Sequence, residues 1–350
     1  MKHLFTIFIL FILPQLIYRQ KELPIIPIKK NDTGTAFTID VYNAYQKKNS
    51  ILLSQIADDI EYIPLETTNE CLLDGTLRNI VITEKEIFIF DYNKGYRFTR
   101  NGKFINSIGK KGQGPGEYIR PMDMAVDTVN QWVYFMDRIG IVTYDYSGKH
   151  IKTLSIDKRS HLLLVGKDQL IIEDSNYLFA APEDRYSIYI YSEKENRLLS
   201  KFSCERKDNI PALSMCSPIM YSYDNNFFLK DYWSDTIYIM KDTYNVNTHA
   251  VIKKGKFIYR NTDDQSLITG KRSAEDEIIL EVARIQETLR FILLLTSKGI
   301  VVYDKNDNKT YIAEIIDKTA SGIVNDLYGC ASISGYNFQN GEIQGNTIIS

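Results

Sequence analysis

The stretch "WVYFMDRIGIVTYDYSGKHIKTLSI", residues 132–156, contains three strand-length segments separated by two turns. The first segment is apolar on consecutive residues and ends at Asp137, and the second runs into the turn pair Ser147-Gly148. Aromatic and β-branched residues favour strands, whereas serine and glycine favour turns. The stretch therefore predicts an antiparallel unit of strand, turn, strand, turn and strand.

Similar units recur along the chain at a nearly constant spacing. From Asp91 to Asp137 is 46 residues, and from Asp137 to Asp231 is 94 residues, or twice 47. The apolar runs that start these units, besides residues 132–137, are Glu86–Asp91, Gln169–Asp174, Phe227–Asp231 and Phe291–Thr296. The predicted second turns lie at Asn101-Gly102, Ser147-Gly148, Glu195-Asn196, near Tyr244-Asn245, and at Asp307-Asn308.

A four-stranded antiparallel unit of this length is typical of a β-propeller blade. The roughly 300 residues that follow the N-terminal segments correspond to about six such units. The predicted fold class is therefore all-β, a six-bladed β-propeller with one short helical insertion and a last blade that the short C-terminal stretch could leave incomplete. A pair of β-sandwiches is the structural alternative, although it would not require the period.

Two segments are expected to depart from the repeat. In "SAEDEIILEVARIQETL", residues 273–289, Ser273 and Asp276 fit a capping box, so a short helix is predicted from Ala274 to about Gln286. The acidic run at its start suits a solvated helix terminus better than a metal site. In "DDIEYIPLE", residues 58–66, a strand is expected to close the ring beside C-terminal strands.

The N-terminus predicts export. A short basic start precedes the apolar run Leu4–Leu13, which is the length of a signal-peptide core and is broken by Pro14. The predicted organisation is a signal peptide at 1–20, a lead-in segment at 21–50 and the propeller at 51–350. We expect a periplasmic or secreted protein, and no lipid anchor, because no cysteine lies near the predicted signal.

Net charge and the spacing of cysteine and histidine argue against some partners and against a zinc site. The formal net charge of −2 gives no reason to expect nucleic acid as a partner, and no membrane span is expected after signal removal. None of the four cysteines forms a C-x-x-C pair, and the four histidines are isolated, so no zinc spacing is present. Cys204 and Cys216 are either a disulfide or buried thiols.

The glycine-rich stretch "GKKGQGPGEY", residues 109–118, raises the question of phosphate binding. A P-loop requires lysine and serine or threonine after its last glycine, but Pro115 follows Gly114 here. The glycine spacing is also wrong for a dinucleotide-binding motif. The stretch is better interpreted as a compact crossover from the last strand of one blade to the first strand of the next.

Residues 102–151, with their spaced glycines, "MAVD", "VYFMD" and "YSGK", resemble an NHL-type repeat. With further matches at Ile60–Thr67, Ser234–Met240 and Gly322–Gly329, the chain is similar to the six-bladed propeller proteins exported by gut-type Gram-negative bacteria. The resemblance implies that the glycine-rich stretch is a blade-linking turn on the funnel face of the propeller.

The bends after the strand-ending aspartates are the best candidates for a binding face, because they recur once per blade and should therefore cluster around the axis. Carboxylates, amides and aromatic side chains together suit a sugar or a peptide, although repeated aspartates also cap turns by accepting backbone N–H bonds. The candidate ligand-binding residues, including those flanking the glycine-rich stretch, are Asp91, Tyr92, Asn93, Lys111, Gln113, Glu117, Arg120, Asp137, Arg138, Asp174, Asn176, Asp231, Tyr232 and Trp233.

No Ser/His/Asp order, G-x-S-x-G or H-E-x-x-H motif is present, so the sequence favours a protein without catalytic activity. The predicted function is binding of a protein, peptide or glycan of the cell envelope on the funnel face, without a cofactor. The alternative is a cation-dependent hydrolase or lyase that uses a central carboxylate site, with calcium as the candidate ion.

Overall fold

The structure is a computed structural model of the 350-residue chain. It describes residues 25, 28–29, 36–47, 50–73, 77–91, 93–156, 163–166, 168–174, 186–203, 218–259, 278–313, 323–324, 326–327, 343–344 and 347–348. The predicted signal peptide, Cys204, Cys216 and Cys330 lie outside the described residues, so the signal and the disulfide stay predictions.

Five four-stranded antiparallel units carry most of the described residues. Sheet 1 contains β4 (Leu77–Ile82), β5 (Glu86–Asp91), β6 (Gly95–Thr99) and β7 (Phe104–Ile108). Sheet 2 contains β8 (Asp123–Asp127), β9 (Trp132–Asp137), β10 (Gly140–Asp145) and β11 (His150–Leu154). Sheet 3 contains β12 (Leu163–Gly166), β13 (Gln169–Glu173), β14 (Tyr186–Ser192) and β15 (Arg197–Ser203).

Sheet 4 contains β16 (Ile219–Tyr223), β17 (Asn226–Lys230), β18 (Thr236–Asp242) and β19 (Asn245–Ile252), and sheet 5 contains β20 (Val282–Glu287), β21 (Phe291–Thr296), β22 (Gly299–Asp304) and β23 (Lys309–Ala313). In every sheet, each strand pairs with the next strand in sequence. The first strands of successive sheets contact one another, from β4 through β8, β12 and β16 to β20. This is the radial arrangement of a β-propeller.

The up-and-down course of the strands gives the propeller two faces, each formed by a different set of turns. Turns after the first and third strands lie on one face, which we call the lower face. Turns after the second strand, and loops that lead from a fourth strand to the next sheet, lie on the opposite, upper face. The predicted second turns are confirmed as lower-face hairpins: Gly102 and Asn308, for example, have φ of +86° and +53°, as tight hairpin turns require.

The second strands are buried on both sides, which explains their unbroken apolar sequences. Phe88 and Phe90 of β5 pack against sheet 2, whereas Ile87 and Ile89 pack on the other side of sheet 1. In β9, alternate residues likewise divide between the interfaces with sheets 1 and 3. Because successive side chains point to opposite sides of a strand, one apolar run supplies two hydrophobic interfaces.

The predicted number of six blades is wrong: the described part of the chain contains five four-stranded units. The prediction divided the length of the chain by the repeat period, and it therefore included residues that do not belong to any blade. The outer sides of sheets 5 and 1 are instead covered by residues 51–73, which we call the closing segment. Its Leu53 and Ile56 pack on sheet 5, whereas Ile63 and Leu65 pack on sheet 1.

The closing segment also joins distant parts of the sequence. Its strand β3 (Ile51–Leu52) pairs in parallel with β24 (Ile323–Val324). The carboxylate of Asp326 accepts bonds from the Ser54 backbone N–H, at 3.0 Å, and from the Ser54 hydroxyl, at 2.6 Å. The expected closing strand at 58–66 is therefore wrong: the strand lies earlier, and residues 58–66 contain none.

Further N-terminal residues extend sheet 4. Strands β1 (Ile28–Lys29) and β2 (Phe37–Ile39) run parallel to β19. Helix α1 (Val41–Lys47) follows, and Asp40 caps it by accepting the Asn43 backbone N–H at 3.1 Å. Val41 and Ala44 are buried in the core between sheets 4 and 5. The segment predicted as a lead-in thus contributes core residues.

The predicted helix at Ala274–Gln286 is wrong where it can be compared. Residues 274–277 lie outside the described part, and Val282–Glu287 form β20. The apolar spacing of these residues is compatible with a helix, but the continuous apolar run of β21 offers a partner that pairs along its length. Tertiary pairing therefore overrides the local preference. Two short strands, β25 (Ile343–Gln344) and β26 (Thr347–Ile348), form a separate hairpin.

Polar contacts join neighbouring sheets on the lower face. Each involves a residue from the turn between the third and fourth strands of the following sheet. The Tyr146 carbonyl accepts from Arg97 at 3.0 Å, and the Glu193 carboxylate accepts from the Tyr134 hydroxyl at 2.5 Å. Between the next sheets, Thr243 accepts from Gln169 at 2.6 Å, and the Lys305 ammonium lies 4.6 Å from the Tyr223 ring centroid.

Sheets 4 and 5 also share a buried charged cluster around Glu287. This carboxylate accepts from the Tyr221 hydroxyl at 2.8 Å and lies 3.0 Å from His249 Nε2 and 2.7 Å from Lys305 Nζ. His249 is the extra residue of a β-bulge, opposite Ile237 and Tyr238, and a bulge re-aims a side chain. Burial raises the pKa of Glu287, but His249 and Lys305 outweigh burial and hold it below its ordinary value.

The Glu287 cluster predicts a pH-dependent stability. A carboxylate with a lowered folded-state pKa contributes fully above its unfolded pKa, about 4.3, and loses that contribution as the pH falls through the folded value. Glu287→Gln should lower the free energy of unfolding at pH 7 by about 3 kcal/mol, because Lys305 loses its buried partner. The deficit should shrink below about pH 4, as measured by urea unfolding from pH 7 to 3.

Glu84→Gln is the matched control, because Glu84 is exposed. It should leave the unfolding curve within about 0.5 kcal/mol of the original at each pH. A Glu287→Gln deficit that stayed constant down to pH 3 would contradict the assignment of this pH dependence to Glu287.

The closing segment offers a second stability test with adjacent residues. Leu53 is buried against sheet 5, whereas Leu52 is 38% exposed. Leu53→Ala should cost about 2–5 kcal/mol of unfolding free energy, and Leu52→Ala less than about 1 kcal/mol. Equal urea midpoints for the two variants would show that the segment does not hold the ring closed.

Candidate functional site

The predicted binding residues that the structure describes all belong to the upper face. This follows from topology, since second and fourth strands end on the same side of each sheet. The turns after β5, β9, β13 and β17 carry the aspartates and their neighbours, and the loop from β7 to β8 carries the glycine-rich stretch. Tyr92 and Asn176 lie outside the described residues.

In sheet 1, Asp91 caps its own turn. Its side chain is fully buried and accepts the backbone N–H groups of Asn93 and Lys94 at 2.8 and 2.9 Å, and the Tyr96 hydroxyl at 3.0 Å. Asn93 is exposed. The turn therefore presents Asn93 to solvent and keeps the carboxylate inside.

In sheet 2, Asp137 holds the incoming loop. The buried carboxylate accepts the backbone N–H of Ile119 at 2.7 Å and that of Arg120 at 2.6 Å. Arg138 and Ile139 form the two-residue connection between β9 and β10, and both are exposed. Asp137 thus places Ile119 and Arg120 beside Arg138 and Ile139 on the molecular surface.

The glycine-rich stretch is a blade-linking loop, as predicted. Gly112 donates its backbone N–H to the Tyr118 carbonyl at 3.0 Å, and Tyr118 donates its backbone N–H to the Lys110 carbonyl at 3.1 Å. Gly116 has φ of +75°, and a Cβ there would lie 2.6 Å from the His150 ring. The glycine is therefore needed for the loop to approach sheet 2.

Aromatic side chains anchor this loop. Tyr118 is fully buried, with its ring centroid 5.1 Å from Phe135 and 6.2 Å from Tyr144, and burial raises its pKa. Tyr144 donates its hydroxyl to the Gly116 carbonyl at 2.7 Å. Lys111, Gln113 and Arg120 remain exposed on the fixed loop.

Glu117 stabilises the loop from within. Its carboxylate accepts the Gly114 N–H at 2.9 Å and lies 3.4 Å from Lys110 Nζ. The Gly114 bond is the main cause that lowers the pKa of Glu117, and Lys110 adds to it. The carboxylate is thus engaged with the loop's own backbone.

The turn of sheet 3 is described only in part. Asp174 is buried, and its backbone N–H donates to the Ser187 carbonyl at 2.9 Å. In sheet 5, Thr296 occupies the corresponding place. Its hydroxyl accepts the Lys298 N–H at 3.1 Å and donates to the Gly299 carbonyl at 2.8 Å. Threonine therefore serves as the turn cap where the sequence lacks aspartate.

The turn of sheet 4 carries an aromatic group. Tyr232 and Trp233 are half-buried, with ring centroids 5.0 Å apart, and Tyr259 lies 6.4 Å from Tyr232. Asp231 is fully buried. Beneath them, the buried Lys230 donates to the carbonyls of Asp231 and Tyr232 at 3.0 and 3.2 Å.

Lys230, Tyr259, Ile119 and Ile139 are upper-face residues that the sequence interpretation missed. Lys230 had a visible signal, because it is the only charged residue within the apolar run 227–230. Tyr259 had none, since it comes from a loop after β19. Its hydroxyl bonds the Ser234 carbonyl at 3.1 Å, and its ring lies 4.9 Å from Lys254 Nζ.

No group of three or more His, Cys, Asp or Glu side chains that could hold a metal ion occurs among the described residues. Asp91 and Asp137 direct their oxygens to neighbouring N–H and O–H groups. None of the helices in the described ranges has the length and hydropathy needed to cross a membrane.

The Asp137 anchor can be tested by an isosteric change. Asp137→Asn replaces one acceptor oxygen with an NH₂ group facing the N–H groups of Ile119 and Arg120, so the free energy of unfolding should fall by about 1–3 kcal/mol. Hydrogen exchange of those two amides should accelerate, while that of β9 should change less. Gln113→Ala, an exposed control on the same loop, should affect neither. Unchanged exchange in Asp137→Asn would contradict the anchoring role.

Comparison with solved structures supports the fold. A crystal structure of a protein described as exported, from Bacteroides fragilis, has a TM-score of 0.60 at 19% sequence identity and covers 80% of each chain. A protein of unknown function from Bacteroides thetaiotaomicron has a TM-score of 0.45 at 12% identity, covering 77% of this chain and 65% of that one. The latter is too distant to support an argument.

No curated protein matches the sequence. The family whose sequence profile matches is described as "Domain of unknown function (DUF4934)", and the match spans residues 36–349. This description does not mention NHL repeats, so that resemblance stays a prediction. The match includes all five sheets and the closing segment, and the chain therefore belongs to the DUF4934 family.

Proposed function

We propose that this chain is an exported, non-catalytic propeller that binds a protein, peptide or glycan of the cell envelope on its upper face. Export is supported by the predicted signal peptide at 1–20 and by the fold shared with a protein described as exported. A periplasmic or secreted location follows from export. The proposal for binding rests on the construction of the upper face.

The observation that carries the proposal is that neighbouring side chains on the upper face have different roles, one stabilising the turn and the next facing solvent. In sheets 1 and 2, the buried aspartates bond the backbone, and the residues beside them face solvent. A surface whose backbone is fixed loses little entropy when a ligand binds. The ligand contacts are therefore assigned to the exposed neighbours rather than to the aspartates, namely Asn93, Lys111, Gln113, Arg120 and Arg138.

Sheet 4 adds a group of aromatic side chains to the upper face. Tyr232, Trp233 and Tyr259 are half-buried, and the Tyr232 ring lies beside both of the other rings. Aromatic side chains supply large contact areas with few rotatable bonds, and they suit both sugar rings and peptide side chains. The upper face thus combines hydrogen-bonding and aromatic groups, as ligand sites commonly do.

A thermal-shift series tests the proposal. The purified protein is melted with pools of neutral oligosaccharides, acidic oligosaccharides and short peptides, each with and without calcium. A bound ligand at about 100 times its dissociation constant adds roughly 2.7 kcal/mol to stability. A shift with one pool should disappear in Arg138→Ala/Trp233→Ala and persist in Lys103→Ala/Lys149→Ala, whose residues are exposed on lower-face turns.

Each result has a distinct meaning. A calcium-independent shift that needs Arg138 and Trp233 supports the proposal and names the ligand class. A shift that survives in the upper-face variant and disappears in the lower-face variant places binding elsewhere and overturns it. Conversion of an oligosaccharide only when calcium is present would overturn the non-catalytic assignment in favour of the hydrolase or lyase alternative.

A further inference from the structure

The upper face of sheet 2 carries several positive charges close together. Lys110 and Lys111 on the loop, with Arg120 and Arg138 beside Asp137, place four cationic side chains in one region, which we call the cationic patch. The backbone of Tyr118 pairs with residues 110–112 and so holds the two lysines next to the segment that carries Arg120. The whole chain, by contrast, has a net charge of −2.

The carboxylates near the patch are already engaged. Asp137 is buried under two backbone N–H groups, and Glu117 accepts the Gly114 N–H. Lys110 lies 3.4 Å from Glu117 but remains largely exposed. Within the described residues, Lys111, Arg120 and Arg138 have no ion pair with a carboxylate. The patch therefore presents four cations with two partly or wholly covered carboxylates, an excess of positive charge.

Two exposed aliphatic side chains lie within the cationic patch. Ile119 is 38% exposed and Ile139 is 39% exposed, and each is adjacent in sequence to one of the arginines. Branched aliphatic groups do not stack on sugar rings as aromatic groups do, but they pack well against aliphatic side chains. Arginine beside exposed apolar groups is also typical of protein–protein interfaces. The composition favours a polypeptide over an anionic glycan.

The backbone of the patch is held by contacts within the chain. Its backbone is fixed by the Asp137 carboxylate, by the buried Tyr118 ring and by the bond from Tyr144 to Gly116. The two guanidinium groups can each form paired bonds to a carboxylate, which lysine cannot do with the same geometry. Two arginines on a held backbone therefore suit a segment that carries more than one acidic side chain.

We infer that the cationic patch is the docking site for an acidic polypeptide segment that carries aliphatic residues between its carboxylates. This inference rests on the proposed function, because it assigns a ligand chemistry to part of the same face. Arg120 and Arg138 are the main charge contacts, Lys110 and Lys111 add longer-range attraction, and Ile119 and Ile139 contact the aliphatic side chains.

Binding to a peptide array tests the inference. The array holds peptides of about a dozen residues in which net charge and aliphatic content vary independently. Binding of the labelled, purified protein should rise with the number of Asp and Glu residues and rise further when Leu or Ile is interspersed. The signal should fall at least tenfold when sodium chloride rises from about 50 to about 500 mM.

Matched charge reversals locate the site. Arg120→Glu/Arg138→Glu should reverse the dependence on peptide charge, whereas Lys103→Glu/Lys149→Glu, with the same change in net charge on lower-face turns, should preserve it. Both arginines are exposed, so melting temperatures should agree within about 2 °C. A fluorescent acidic peptide taken from the array should bind the arginine variant at least tenfold more weakly, or about 1.4 kcal/mol.

Three results would overturn the inference. Binding that is independent of peptide charge would show that the partner is not acidic. An equal effect of both double variants would show that the attraction depends on the overall charge of the protein and not on the cationic patch. Stronger competition by a polygalacturonate oligosaccharide than by the acidic peptide would assign the patch to an anionic glycan. None of these results decides the proposed function, which the Arg138/Trp233 thermal-shift comparison tests separately.

Discussion

The structure depends on strands that are buried on both sides. In β5 and β9, alternate side chains enter different interfaces, so each central strand belongs to two hydrophobic clusters at once. No sheet can bury its apolar residues without a neighbour on each side. Radial packing provides those neighbours for four of the interfaces, and the remaining outer sides of sheets 1 and 5 must be covered by other residues.

The closing segment covers these sides and also makes a lower-face contact of the kind that neighbouring sheets make with each other. Elsewhere, a third-to-fourth strand turn contacts the preceding sheet on the lower face. Among the described residues, no four-stranded unit precedes sheet 1 in sequence, and Glu66 of the closing segment donates its N–H to the Gly102 carbonyl at 2.8 Å. Thus an extended segment makes the contact that a neighbouring sheet makes at the other positions.

Local patterns predicted the parts of this fold that are themselves local. The five apolar runs became the second strands, and Asn101-Gly102 and Asp307-Asn308 became turns, because strand and turn preferences act over a few residues. The number of sheets and the closing strand could not be obtained in this way, since they depend on pairing between residues far apart, such as β3 with β24. The helix expected at Ala274–Gln286 failed for the same reason.

The candidate site also has features that the sequence could predict and features that it could not. Recurrence of aspartate after a strand correctly marked one face, and the capping alternative describes Asp91 and Asp137 well. The sequence could not indicate that Asp137 brings Ile119 and Arg120 next to Arg138, because that surface depends on two bonds from backbone N–H groups to the Asp137 carboxylate, across 17 and 18 residues. Nor could it indicate that Tyr259 joins Tyr232 and Trp233, since nothing in a loop sequence specifies its final neighbour.

The bonds between Ser54 and Asp326 span 272 residues of sequence, whereas each sheet is built from adjacent strands. Contacts of high sequence separation carry the largest loop-closure entropy and form slowly. We therefore expect folding to proceed by assembly of the five meanders, with the ring sealed last. Until that step, the outer sides of sheets 1 and 5 are exposed apolar surfaces, so the interval before sealing is when the chain is most prone to aggregate.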